Sequence, residues 1–187
     1  MTTAGTLHDE ALRLGPGRLL AAYVTTTPVA SIGISLPGPQ SKYDCYMLDI
    51  SSILPQNADT SHLVMRFSID GGATWVATAD YWYSQLFTIS HGTAPYGGMN
   101  GAAADRFYIN GPQPKHLSLA AEVLIDAVGN SPPFVKSFSS GWQSQGAFCR
   151  NLSCQAHPNI NALLLFYESD NIARATVHLY GIRKGVV

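Results

Sequence analysis

From Leu117 to Ala127 every second residue is apolar: Leu117, Leu119, Ala121, Val123, Ile125 and Ala127. A helix would scatter these six around its circumference, whereas a strand places them all on one face. The period therefore predicts a long strand, not the helix that Ser118 and Gly129 would otherwise cap and stop. The alternation recurs elsewhere. Residues 43–50 set Tyr46, Leu48 and Ile50 against Cys45, Met47 and Asp49, and Leu63, Met65 and Phe67 alternate with Val64, Arg66 and Ser68. Other β-prone runs are Leu19 to Val24, Val29 to Ser35, Gln85 to Ile89, Phe107 to Ile109, Phe134 to Phe138, Ala147 to Leu152, Asn161 to Tyr167 and Ala173 to Ile182. Each is bounded by turn-forming residues, as short strands are.

The connections predict the topology. Asp70-Gly71-Gly72 has hairpin chemistry, because glycine tolerates positive φ and an aspartate hydrogen-bonds the backbone ahead of it, so the run to Trp75, Val76 and Ala77 is expected to return as a strand. Ser169-Asp170-Asn171 is expected to close a second hairpin between the last two strands. Pro55 to Ser61 reads as a polar loop, and His91 to Asp105, rich in Gly, Ala and Asn, as a long one. At the N-terminus, Thr6-Leu7-His8-Asp9 reads as a capping box, and one or two helical turns carrying Leu7, Ala11 and Leu14 on one side are expected after it, stopped by Gly15-Pro16-Gly17. Some ten short strands with almost no helix signal predict an all-β fold: an antiparallel two-sheet jelly-roll-like β-sandwich in preference to a closed barrel. A short N-terminal arm, residues 1–18, precedes a single β-sandwich domain, residues 19–187.

Composition narrows the role. A chain of 187 residues buries roughly 70% of its unfolded surface, enough for one core. Charged residues are 12% of the sequence, about half the usual share, and the formal net charge is −1. That leaves no clustered Lys and Arg for nucleic acid or an anionic membrane, and near-zero net charge favours association with partners. The odd count of three cysteines, Cys45, Cys149 and Cys154, predicts reduced thiols and folding in a cytosolic compartment. No apolar run reaches membrane-spanning length, and no basic stretch followed by an apolar core marks a secretory signal.

Little in the pattern points to catalysis. The carboxylates Asp44, Asp49, Asp59, Asp80, Asp105, Glu122, Asp126, Glu168 and Asp170 are scattered among turns and outward strand positions, where solvation accounts for them. A glycosidase requires two of them about 5–10 Å apart. The histidines His8, His62, His91, His116, His157 and His178 have no metal-ligand spacing, and Cys149, Cys154 and His157 match a zinc site only loosely. No nucleophile elbow or Cys/His pairing is present. The expectation is a non-enzymatic protein with no catalytic residue, no metal and no cofactor. Aromatic residues offer a contact surface instead: Tyr81-Trp82-Tyr83, with Tyr96 in the loop beyond, are the candidate contacts for a sugar or protein partner. Alternation turns inward either Trp82 or its two neighbours, so the outward set would make the contact.

Ser68-x-Asp70-x-Gly72-x-x-Trp75 resembles the Asp-box of sialidases and other β-propellers. That resemblance implies a structural turn in which Asp70 and Ser68 bond the turn backbone and Trp75 packs beneath it, away from any active site. Propellers repeat the motif from blade to blade; here a single copy supports a turn and not a glycosidase.

More widely, residues 42–83 and 160–183, with the S-x-D-G-G-x-T-W turn and the closing Ala175-Thr176-Val177-His178-Leu179-Tyr180-Gly181-Ile182 strand, resemble small β-sandwich structural proteins of tailed bacteriophage virions. The resemblance implies a non-enzymatic tail-fibre, baseplate or head-decoration subunit that folds in the host cytoplasm and resides in the virion. It implies a homo-oligomer, with a trimer favoured, in contact with other virion proteins and without nucleic acid or membrane insertion. The alternative is a carbohydrate-binding or receptor-binding module that takes a host-surface glycan on its exposed aromatics.

Overall fold

The computed structural model describes residues 17–37, 43, 45–57, 61–77, 81–88, 96–109, 118–126, 134–141, 147–154 and 160–183. The arm expected at the N-terminus lies outside them, apart from the start of the first strand. Among the described residues there are twelve strands: β1 (Arg18–Thr25), β2 (Ser31–Ser35), β3 (Cys45–Pro55), β4 (Leu63–Ser68), β5 (Tyr81–Thr88), β6 (Tyr96–Ala104), β7 (Phe107–Tyr108), β8 (Leu119–Asp126), β9 (Phe134–Gly141), β10 (Ala147–Cys154), β11 (Ala162–Tyr167) and β12 (Ile172–Ile182). They form an eight-stranded sheet in the order β1-β12-β3-β8-β9-β10-β5-β6 and a four-stranded sheet in the order β2-β11-β4-β7. Every neighbouring pair is antiparallel.

The order becomes simple once β5, β6, β9 and β10 are set aside. The other eight strands, counted along the chain, form one sheet with the order first, eighth, third, sixth and another with the order second, seventh, fourth, fifth. This is the double Greek key of a jelly roll, in which the chain passes repeatedly from one sheet to the other. The two remaining hairpins are insertions. β5 and β6 enter between β4 and β7, β9 and β10 enter between β8 and β11, and together they extend the larger sheet beyond β8.

The core lies between the sheets. Leu48, Ile50 and Ile53 of β3, Val123 and Ile125 of β8, and Val177 and Leu179 of β12 pack toward Ile34, Leu63, Met65, Phe67, Phe107, Leu163 and Leu165 of the smaller sheet. β8 carries the alternation that the odd positions predict: Leu119, Ala121, Val123 and Ile125 are buried, while Ala120, Glu122 and Leu124 are exposed. Tyr46, Leu48 and Ile50 likewise turn inward on β3, and Cys45 at its start is buried as well.

Three expectations about connections do not hold. The Asp70-Gly71-Gly72 turn does not close a hairpin between paired strands. Residues 75–77 form no strand, and β4 and β5 belong to different sheets. Ser169-Asp170-Asn171 likewise carries the chain from β11 in the small sheet to β12 in the large one. Both turns have local chemistry that suits a hairpin, but in a jelly roll the next strand must cover the opposite side of the core. The third is the loop expected over residues 91–105. Residues 96–104 form β6, paired with β5 from Thr88↔Tyr96 to Tyr81↔Ala104. Its Gly- and Ala-rich sequence has no apolar alternation to read, and a strand added at a sheet edge is held by main-chain bonds that side-chain patterning does not report.

Candidate functional site

The Asp-box residues converge as their resemblance implies. Ser68 is fully buried at the end of β4. Its hydroxyl donates to Asp70 Oδ1 at 2.6 Å and accepts from the backbone N–H groups of Asp70 at 3.2 Å and Gly72 at 2.9 Å. Asp70 Oδ1 also accepts from the Thr74 N–H at 2.9 Å, and Oδ2 accepts from the Thr74 hydroxyl at 2.6 Å. These bonds favour the ionised carboxylate, with the Ser68 bond foremost, and bring its pKa down from 3.8 to about 2. Gly71 and Gly72 take φ of 74° and 93°, the left-handed region that side-chain-bearing residues avoid. The Trp75 ring lies against Gly72, where a Cβ would stand 3.2 Å from it.

A residue that sequence reasoning passed over locks this turn to the sheet. Asn161, just before β11, donates from its backbone to Ser68 O at 2.9 Å and from Nδ2 to Ile69 O at 2.8 Å, and its Oδ1 accepts from Gly71 N–H at 2.7 Å. Nothing short-range marks it, because its partners are about ninety residues upstream. With the Asn161 side-chain amide bonded on both sides and both Asp70 oxygens bonded within the turn, these residues brace the turn against the sheet.

Of the candidate contact aromatics, Tyr81 is excluded from the surface. It is fully buried, its ring stacks on Phe67 with centroids 5.6 Å apart, and its hydroxyl accepts from Phe67 N–H and donates to Val76 O, both at 3.0 Å. This correction has a physical reason. The chain leaves the Asp-box turn by crossing between sheets, and Tyr81 sits where that crossing needs an apolar body with a polar tip to satisfy the backbone beneath it. Trp82 stands opposite Ser153, Tyr83 opposite Leu152 and Gly101, and Tyr96 opposite Thr88. All three belong to the inserted part of the large sheet.

A second cluster covers the outward side of the small sheet, where Tyr108, Val64 and Phe166 stand in one row across β7, β4 and β11. Glu168, just past β11, bonds His62 Nδ1 at 2.8 Å through Oε2, and its Oε1 accepts from the Tyr108 hydroxyl at 2.8 Å and Arg106 Nη1 at 3.3 Å. Arg106 also grips Asp105 through two nitrogens at 2.7 and 2.5 Å, and Arg66 reaches the same carboxylate at 2.8 Å while its guanidinium lies 5.4 Å from the Phe166 ring centre. Arg106, through its hydrogen bonds, brings the Asp105 pKa down to about 2, and burial together with the Glu168 bond pushes Tyr108 up to about 12.

Asp105 is thus ionised at neutral pH and unsuited to a general-acid role, because a glycosidase acid must hold its proton there. Arg106 joins the two carboxylates into one ion-pair network, and Val64 on this row is fully buried. Among the described residues no three His, Cys, Asp or Glu side chains are grouped to hold a metal. No protein-family model matches the chain, and no curated protein matches it.

Proposed function

We propose that this protein is a structural subunit of a tailed-phage virion, a tail-fibre, baseplate or head-decoration component that works by assembling and not by catalysis. The observation that carries the reading is the jelly-roll strand order with two inserted hairpins that widen one sheet. Jelly rolls recur in viral shells, where a rigid two-sheet body presents loops, edges and faces to neighbours. Two features of this chain favour the same use. Its low charge lowers the desolvation cost of burying surface against partners. The clusters most capable of chemistry, at Asp70 and at Glu168, are networks whose described bonds brace the fold.

The resemblance of residues 42–83 and 160–183 to phage virion β-sandwiches supplies the virion, and fold class alone does not. Purified particles from a host expressing this chain provide the test. Mass spectrometry is expected to find it at a stoichiometry comparable with the other structural proteins, and absence from particles while it accumulates free in the lysate would sink the reading.

A further inference from the structure

Asp70-Gly71 is the one Asp-Gly step in the sequence, and both of its residues are exposed to water. Such a step carries a slow reaction of its own. The Gly71 nitrogen gives up its proton and bonds Asp70 Cγ, one carboxyl oxygen leaves as water, and a five-membered succinimide ring closes. Water then opens that ring at either carbonyl, so the chain returns as aspartate or as isoaspartate, whose main chain runs through Cβ. One water leaves and one enters, and nothing is oxidised or reduced. A following glycine favours the reaction because no side chain screens the attacking nitrogen. At Gly71, φ is 74° and the space where a Cβ would stand is open.

The bonds around this step oppose the reaction at both of its atoms. The attacking species is the deprotonated nitrogen, but Gly71 N–H donates to Asn161 Oδ1 at 2.7 Å. An amide oxygen only accepts, so that bond exists only while the nitrogen keeps its proton. The carboxyl must be neutral for its oxygen to leave as water, and it must swing toward Gly71. Asp70 is instead ionised, and it is tied to the Ser68 hydroxyl at 2.6 Å and to the N–H and hydroxyl of Thr74 at 2.9 and 2.6 Å. The backbone on either side is fixed as well. Ser68 Oγ accepts from the N–H groups of Asp70 and Gly72, and Asn161 Nδ2 donates to Ile69 O.

We propose that Asp70-Gly71 is a latent isoaspartate site that the turn holds shut, with Asn161 as its guard. Isomerisation would add a methylene to the main chain of the turn and shift the carboxylate away from Ser68 and Thr74, so the brace could not be rebuilt. Asn161 therefore protects the chain chemically as well as joining the turn to the sheet. This inference is independent of the virion reading, because it needs only contacts within one chain.

Ageing the full-length protein in neutral buffer tests it. After digestion, mass spectrometry separates the aspartate and isoaspartate forms of the peptide bearing Asp70 from the products of Asn100-Gly101 and Asn110-Gly111. The native protein is expected to form isoaspartate at Asp70 roughly tenfold or more slower than the same chain in urea, since several hydrogen bonds must break first; equal rates overturn the proposal. Asn161→Ala is expected to react roughly fivefold faster than the native protein, the rate equivalent of one hydrogen bond, while the buried Met65 stays protected from peroxide as a sign of an intact core. Gly181→Ala destabilises the other sheet without touching the turn and is expected to leave the rate unchanged. If it accelerates the reaction as much as Asn161→Ala does, or if Asn161→Ala with a protected Met65 reacts no faster, the proposal falls. If Asn161→Ala exposes Met65, Thr74→Val decides in its place, because this residue is exposed and the change removes the hydroxyl that holds Asp70 Oδ2. A faster rate then supports the proposal, and an unchanged one overturns it.

Discussion

Gly72 shows how one residue decides the turn on which the crossing between sheets depends. At φ 93°, and with a Cβ placed 3.2 Å from the Trp75 ring, Gly72→Ala meets backbone strain and a tight contact. The expected loss is about 1–3 kcal/mol, read as a lower denaturation midpoint in urea. Gly181 on β12 is constrained by packing alone: a Cβ there would stand 2.6 Å from the Tyr43 ring, so Gly181→Ala is expected to cost about 1–3 kcal/mol by overpacking. Asp70 sets a pH dependence. Its pKa is 3.8 ordinarily and about 2 in the fold, so the folded chain binds the proton more weakly. The contribution to stability is complete above the ordinary value and is lost as pH falls through the folded one. Thermal melts between pH 5 and 2 are expected to show this loss, and Asp70→Asn, less stable at neutral pH, should lose less on acidification. These roles were readable from the sequence, since Ser68, Asp70, Gly72 and Trp75 interact over eight residues. Asn161 and Tyr43 were not, because what makes them matter comes from distant strands.

Strands are the scale at which alternation speaks and then falls silent. β8 and β3 were legible because one face is buried along most of their length, whereas β6 was not, because its Gly- and Ala-rich run pairs at an edge through its backbone. Local turn chemistry also misled at two places, where a tight turn carries the chain across the core. For Tyr81 the alternation left two choices, Trp82 inward or its neighbours inward, and Tyr81 is buried and anchors the crossing. Tyr81→Phe would leave Phe67 N–H without its side-chain acceptor in a buried position, at an expected cost of about 1–3 kcal/mol in chemical unfolding. On the outward side of the small sheet, the Tyr108 pKa of about 12 against an ordinary 10.0 means that the fold prefers the protonated phenol. Its contribution to stability is therefore complete below pH 10 and is lost as pH rises through 12, and Tyr108→Phe is expected to lessen the decline in alkaline melts, to which Tyr167, also raised by burial, contributes as well.

At the scale of the molecule, the long-range order of eight strands and the two inserted hairpins follow from pairing partners up to well over a hundred residues apart, such as β1 with β12. Composition and turn frequency were enough for a jelly-roll-like sandwich, but not for its widened sheet. A body of this kind, low in charge and braced at its polar clusters, is suited to being packed against copies of itself, and assembly is the property that the proposed role most requires. Light scattering of the full-length protein at micromolar concentration measures it directly. The account predicts the mass of a trimer or a larger closed assembly that persists on dilution; the mass of one chain across the whole concentration range would contradict it.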